Sequence, residues 1–251
     1  MIPASSRLAW RLEAHDELGS TSDLVRARAE AGEPEGLAVL ARRQTSARGT
    51  RGRAWSTPTG NLAISVLLRP RLPLREAARL SLLCGAALAE AVAAILPPGP
   101  RLALKWPNDL MLNGNKLSGI LLESQGDGQG GTAWVIPGIG VNLAHAPILP
   151  DRVAACLADH MPAPDPEAFA PALLARLAHW YGVLHADGFA PVQQAWLAHA
   201  QPAGSQMSLK LGADVLQGIF AGLGEDGSLL MTVDGTTRRF TTGEVLLPDG
   251  G

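Results

Sequence analysis

Hydrophobic and polar residues alternate along the first 96 residues in runs that predict strands and helices in turn. Weak alternation at 10–14 predicts an opening strand. Serine and aspartate at the start of segment 20–31 can cap free helical N–H groups, so this segment predicts a helix. Short apolar runs at 36–42 and 61–68 predict buried strands, and a 3.6-residue period at 75–96 predicts a longer helix.

The middle of the chain predicts three strands followed by two helices. The strands are predicted at 102–106, 116–123 and 134–141. The helices are predicted at 166–186 and 191–200. The Asn113-Gly114 pair is a strong signal for a tight turn, which would join and pair the first two of these strands.

From Gly204 onward the pattern changes to short alternating runs separated by turns rich in glycine and aspartate. Such runs are typical of a small β-barrel. We therefore expect a domain boundary near residue 203. Residues 1–203 would form an α+β domain with a mixed β-sheet and flanking helices, and residues 204–251 would form the small barrel.

Composition predicts a globular protein of the cytoplasm. Hydrophobic residues make up 47% of the chain and charged residues 18%, which suffices for a buried core. The 21 basic and 23 acidic residues give a net charge of −2, without the basic excess expected of a nucleic-acid-binding surface. No signal-peptide core or membrane-spanning run is evident. Cys84 and Cys156 lie in apolar segments and are expected to be buried free thiols.

Three segments carry candidate chemistry, although P-loop, nucleophile-elbow and metal-binding motifs are absent. The aperiodic segment 44–60 holds arginines and glycines suited to a phosphate or carboxylate, but also fits a solvated loop or an RNA-binding strip. Lys105 and Lys116 would approach each other across paired strands, and two ammonium groups repel unless an anion lies between them. Segment 137–142 ends a strand with small residues on which a flat ligand could lie.

These segments together resemble the biotin-protein ligases. The resemblance rests on Gly19–Asp23 (GSTSD), Gln44–Trp55, Lys105–Ser124 (KWPNDLMLNGNKLSGILLES) and Gly138–Leu143 (GIGVNL). It implies the biotin/lipoate ligase fold, which is similar to class II aminoacyl-tRNA synthetases, with an SH3-like C-terminal barrel. It also implies ATP- and Mg²⁺-dependent formation of biotinyl-5′-AMP. The biotinyl group then passes to a lysine of the biotin carboxyl carrier protein of acetyl-CoA carboxylase.

The resemblance also implies roles for individual residues. Biotin would contact Ser20, Thr21, Ser22, Gln44, Arg48, Gly49, Thr50, Lys116 and Gly119. ATP and the adenylate would contact Arg53, Trp55, Lys105, Asn108, Gly140 and Asn142. Catalytic roles would fall to Lys116, Lys105, Arg48 and Asp109. No metal site held by the protein is implied, because Mg²⁺ would arrive with ATP.

Two departures and several alternatives qualify this interpretation. The family loop commonly has glycine and arginine where this chain has Ala47 and Thr50, which predicts weaker retention of the adenylate. Few residues precede Ser20, so we expect a ligase without a DNA-binding repressor domain. A homodimer is possible. The alternatives are a lipoate-protein ligase or octanoyl transferase and, from another class, a non-catalytic binder of biotin or nucleotide.

Overall fold

Two β-sheets and four α-helices form the part of the chain that the computed structural model describes, residues 8–53, 55–148 and 153–246. The strands of the first sheet are β1 (Arg11–Leu18), β2 (Leu37–Gln44), β3 (Leu62–Val66), β4 (Leu102–Lys105), β5 (Asp109–Leu112), β6 (Asn115–Gly126) and β7 (Thr132–Val141). The strands of the second sheet are β8 (Gln206–Leu211), β9 (Asp214–Leu223), β10 (Leu229–Val233), β11 (Thr236–Phe240) and β12 (Glu244–Leu246). The helices are α1 (Thr21–Glu30), α2 (Arg79–Ala93), α3 (Pro166–Asp187) and α4 (Phe189–Ala198).

The first sheet is mixed and has the strand order β1-β2-β3-β7-β6-β5-β4, in which only β1 and β2 run parallel. Side chains alternate across it, so Leu37 and Val39 pack with α1 in one hydrophobic cluster. Ala38 and Leu40 belong to the larger cluster with α2 and α3 on the opposite face. Both faces of the first five residues of β2 are therefore buried, which explains why these residues are all apolar.

The predicted strands and helices are largely confirmed, with one strand missed. Strand β5 lies between β4 and β6, so the Asn113-Gly114 turn joins β5 to β6 and not the predicted pair. Both turn residues have positive φ, 50° and 79°, as a tight hairpin turn requires. The sequence of β5, DLML, is only four residues long and does not alternate, so it carries no separate signal. The helix expected at 75–96 is shorter, and a 3-10 turn at Leu74–Glu76 precedes α2.

The C-terminal strands form the predicted small β domain, but its antiparallel sheet is not closed into a barrel. Its strand order is β11-β10-β9-β8-β12, which leaves β11 and β12 at opposite edges. Although only residues 241–243 separate these strands, the short strand β12 pairs with β8. Met207, Phe220 and Met231 of this sheet share one hydrophobic cluster with the first sheet. The boundary predicted near residue 203 falls between α4 and β8 and stays a prediction.

Candidate active site

A cluster of hydroxyl groups lines a pocket where helix α1 begins against the first sheet. Ser20, Thr21 and Ser22 are buried, and Ser20 is the N-cap residue of α1. The Oγ of Ser65 lies 2.8 Å from Thr21 Oγ1 and 2.9 Å from Ser22 Oγ. The Thr21 backbone N–H donates to Gln44 Oε1 at 2.8 Å. Strands β2 and β3 thus hold Gln44 and Ser65 against the helix terminus, forming a polar pocket wall.

Two facing glycines provide a flat surface on the same pocket, and the indole of Trp55 lies on it. Gly119 of β6 pairs with Gly140 of β7. A Cβ atom on Gly140 would overlap Trp55 Nε1, so the ring contacts the bare backbone there. The Nζ of Lys116 lies 5.6 Å from the centroid of the Trp55 ring, within the range of a cation–π contact.

Asp109 bridges the two lysines. Its carboxylate is 8% exposed and accepts from Lys116 Nζ at 2.5 Å, while Lys105 Nζ lies 3.1 Å from its other oxygen. The anion that the sequence required between the lysines is therefore this carboxylate on the intervening strand β5. Any further anion placed here would compete with Asp109 for both ammonium groups.

Segment 44–60, the arginine-glycine loop, is held at two points by bidentate ion pairs. Arg48 donates through both terminal nitrogens to Asp23 of α1, at 2.9 and 2.5 Å. Arg53 donates to both oxygens of Glu244 on β12, at 3.2 and 2.6 Å. The hydrogen bonds from Arg48 lower the pKa of Asp23, and the same contact raises the pKa of Arg48. Between these points, residues Thr50–Gly52 form one 3-10 turn.

Two asparagines stabilise the strand ends beside the lysines. Asn108 donates to the carbonyl of Ile120 at 2.7 Å, which ties the turn before β5 to strand β6. Asn142 is 1% exposed and donates to the carbonyl of Ala155 at 3.0 Å. Its Oδ1 atom is buried and has no hydrogen-bond partner among the described residues. A buried acceptor of this kind costs free energy until a donor reaches it.

Comparison with known proteins places this geometry in a family. Residues 19–142 match the model of the biotin/lipoate A/B protein ligase family. A biotin–[acetyl-CoA-carboxylase] ligase of Paracoccus denitrificans is 43% identical over 199 residues, which are 77% of this chain and 82% of that protein. The chain belongs to the biotin/lipoate A/B protein ligase family.

Two further members of this ligase family extend the similarity to nearly the whole chain. A biotin–[acetyl-CoA-carboxylase] ligase of Mycobacterium tuberculosis is 33% identical, over 94% of this chain and 89% of that protein. A biotin protein ligase of Aquifex aeolicus, solved with biotin and ATP, is 27% identical and has a TM-score of 0.78. That match covers 94% of this chain and 97% of the solved one.

Most of the residues predicted for this ligase site surround one pocket. The predicted residues that line it are Ser20, Thr21, Ser22, Gln44, Arg48, Gly49, Thr50, Trp55, Asn108, Lys116, Gly119 and Gly140. Arg53, Lys105 and Asp109 line an adjoining cavity, one wall of which comes from residues 241–245 at the start of β12 and just before it. Asn142 is buried beside the pocket without lining either cavity.

Three residues that hold the walls of the candidate site were not predicted from the sequence: Asp23, Ser65 and Glu244. Asp23 stands in the quoted GSTSD motif, so its position was visible although its contact with the loop was not. Ser65 is a polar residue inside an apolar strand, a signal that could have marked it. Glu244 is 191 residues from Arg53, and no local pattern indicates such a contact.

No cluster of three or more potential metal-ligating His, Cys, Asp or Glu side chains occurs among the described residues. No described helix is long and apolar enough to cross a membrane. Both cysteines are buried free thiols, as predicted.

Proposed function

We propose that this chain is an ATP-dependent biotin–[acetyl-CoA-carboxylase] ligase that forms biotinyl-5′-AMP and transfers the biotinyl group to a lysine of a carrier protein. The position of Lys116 is the main support for this proposal. This side chain lines both the hydroxyl-rich pocket and the adjoining cationic cavity. A carboxylate held in the pocket and a phosphate held in the cavity would therefore meet at its ammonium group.

The first step joins two anions, and fixed positive charge lowers its barrier. A carboxylate oxygen of biotin attacks the α-phosphorus of ATP, the new P–O bond forms, and pyrophosphate leaves as the α–β bridge breaks. Lys116 holds the carboxylate, and Lys105 and Arg53 stabilise charge on the phosphates. Asp109 keeps the two lysines together before substrates enter, because it offsets their mutual repulsion. Mg²⁺ would enter with the ATP phosphates, whose charge it neutralises.

The nucleotide base takes the flat surface of Gly119 and Gly140 in this proposal. Trp55 leaves that surface and closes over the adenylate. Asn142, which lines neither cavity, supports the strand end beside this surface through its hydrogen bond to the Ala155 carbonyl. These assignments keep the roles that the resemblance implies for Trp55 and Gly140.

The second step transfers the acyl group. The carrier lysine attacks the biotinyl carbonyl and a C–N bond forms. AMP leaves as the bond between the carbonyl carbon and the phosphate oxygen breaks. A free lysine has a pKa of about 10.4, so its ammonium proton must be lost before attack. Asp109 is the nearby carboxylate that orients this amine or accepts the proton, once substrate anions have drawn the two lysines from it.

The pocket chemistry favours biotin over lipoate. The ureido ring of biotin offers a carbonyl and two N–H groups, which match the hydroxyl and amide groups of Ser20, Thr21, Ser22 and Gln44. The dithiolane ring of lipoate offers no comparable hydrogen bonds and would leave these buried groups unpaired.

The proposal also includes the wider setting that the sequence predicts. The carrier is the biotin carboxyl carrier protein of acetyl-CoA carboxylase, the enzyme acts in the cytoplasm without binding DNA or membranes, and it can form a homodimer. The catalytic domain spans residues 1–203. The C-terminal domain, residues 204–251, completes the nucleotide cavity through its segment 241–245.

The test is pyrophosphate exchange into ATP, measured with biotin, with lipoate and with neither, followed by labelling of a purified carrier domain. We expect exchange with biotin only, and one biotinyl group on one carrier lysine. Exchange with lipoate, or octanoyl transfer without ATP, would support the alternative enzymes. Tight biotin binding without exchange would indicate a non-catalytic binder.

A further inference from the structure

A row of four alternating charges connects the arginine-glycine loop to the body of the enzyme. Arg48 of the loop binds Asp23 of helix α1 through two hydrogen bonds. Arg26, one turn further along α1, donates to Asp23 at 3.1 Å and also binds Glu123 of β6. Asp23 therefore stands between two arginines, and Arg26 is itself fixed by a strand of the sheet.

This row lies on the rim of the pocket. Ser20, Thr21 and Ser22, the residues immediately before Asp23, line the pocket, and so does Arg48. The Asp23–Arg48 contact therefore joins two segments of the pocket wall. A bidentate carboxylate–guanidinium pair fixes orientation as well as distance, because both groups are planar.

We propose that Asp23 is a positioning residue that holds Arg48, and with it residues 47–50, closed against helix α1 over the biotin pocket. This role rests on the proposed function, since it assigns biotin and biotinyl-AMP as the molecules that the closed loop retains. Asp23 acts through Arg48 and is distinct from the groups that hold the substrate.

The remaining contacts of the loop would survive the loss of Asp23. Gln44 Nε2 donates to Thr57 Oγ1 at 3.1 Å, and Arg53 binds Glu244. The Gln44 contact joins the two ends of the loop and the Arg53 contact ties its second half to β12, whereas the Asp23 pair ties its first half to helix α1. The Asp23 and Arg48 side chains are 42% and 40% exposed, so the pair contributes little to core packing. Its removal should open the loop without unfolding the domain.

The substitution Asp23→Asn tests this role, with Glu17→Gln as the matched control. Glu17 also pairs with an arginine, Arg43, at 2.8 Å on an exposed surface, but it makes no contact with the loop's pocket side. An exposed ion pair of about 1 kcal/mol corresponds to about a fivefold effect. We expect Asp23→Asn to raise the KM for biotin and the release rate of biotinyl-AMP by about fivefold, with kcat for adenylation nearly unchanged.

Limited trypsin digestion reports loop opening without any substrate. Cleavage after Arg48 should be faster in Asp23→Asn than in wild type or Glu17→Gln, and Asp23→Glu should restore part of the protection. Raising the salt concentration should reduce the difference, because salt screens an exposed pair.

Equal digestion rates and equal biotin KM in wild type and Asp23→Asn would overturn the proposal. A lower kcat with unchanged KM and unchanged digestion would also overturn it, since Asp23 would then act on the chemistry. If the wild-type enzyme showed no biotin-dependent exchange, the proposed function would fail, while the digestion result would still report whether Asp23 closes the loop.

Discussion

The carboxylate of Asp109 lies 2.5 Å from the ammonium nitrogen of Lys116 on the neighbouring strand. Replacing this aspartate by asparagine removes the negative charge that holds the lysine beside Lys105. We expect Asp109→Asn to lower the free energy of unfolding by about 1–3 kcal/mol, because buried charges lose their partner. Added pyrophosphate should restore part of this loss by binding between the lysines. Thermal unfolding with and without pyrophosphate measures both effects. An Asp109→Asn protein that gains no more from pyrophosphate than wild type would contradict this view of the lysine pair.

Replacing Lys116 by alanine should affect pyrophosphate exchange differently from replacing Lys105. Lys116→Ala should abolish biotin-dependent pyrophosphate exchange, because both reacting anions meet at this side chain in the proposed reaction. Lys105→Ala should chiefly raise the KM for ATP. Lys210→Ala, on the exposed surface of β8, is the matched control and should leave both values unchanged. Full exchange activity in Lys116→Ala would refute the assignment of the site.

Thr50→Arg should slow the escape of biotinyl-AMP. Thr50 lines both the pocket and the adjoining cavity, so an arginine there could reach the adenylate phosphate. The measurements are adenylate release in rapid gel filtration and labelling of bystander proteins when no carrier is present. Equal rates in the wild type and the variant would show that this departure from the family loop has no effect on retention.

Gly140→Ala should impair nucleotide binding more than biotin binding. A Cβ atom at this position would overlap Trp55 Nε1, so it would push aromatic rings off the backbone surface. We expect a higher KM for ATP and a changed environment of Trp55, observed as altered tryptophan fluorescence. Gly182→Ala in helix α3 is the control, because its added methyl group meets open space and alanine favours helix. An unchanged ATP KM in Gly140→Ala would argue against the proposed base surface.

The cysteines should be inert in the folded protein. Burial raises the pKa of Cys84 to about 12, and burial also raises the pKa of Cys156. At pH 8 only about one Cys84 side chain in ten thousand is a thiolate, the reactive form. A thiol reagent should therefore label both cysteines only after unfolding. Because the folded-state pKa is raised, the contribution of Cys84 to stability should be complete below about pH 8.5 and fall as the pH rises toward 12. Rapid native labelling at pH 8 would contradict the described burial.

Much of the fold was predictable because its elements leave local patterns. Strand β2 begins with an apolar run, and the Asn113-Gly114 turn has the residues that positive φ demands. Helix α1 begins after Ser20 as predicted, although that side chain makes no capping hydrogen bond. Strand β5 was missed because four residues are too few to show a period. That the C-terminal sheet stays open was not predictable, because alternation reports which side chains face a core, while closure depends on which edge strands pair.

The candidate site was predictable to the extent that its residues stand in contiguous motifs. Lys105, Asp109 and Lys116 share one run of sequence, and the structure brings the two lysines together on either side of Asp109, with β5 between their strands. The contacts of Arg48 with Asp23 and of Arg53 with Glu244 join distant segments. Complementary charge alone could not select these partners among the 23 acidic residues of the chain.

The C-terminal sheet reaches the turn that carries the reactive groups. Trp106, between Lys105 and Asp109, donates its indole N–H to the carbonyl of Gly227 at 3.0 Å. Loosening of the C-terminal sheet is therefore expected to disturb the turn that carries Lys105 and Asp109. A shortened enzyme lacking this sheet would retain the hydroxyl-rich pocket wall but lose the support that aligns its cationic centre.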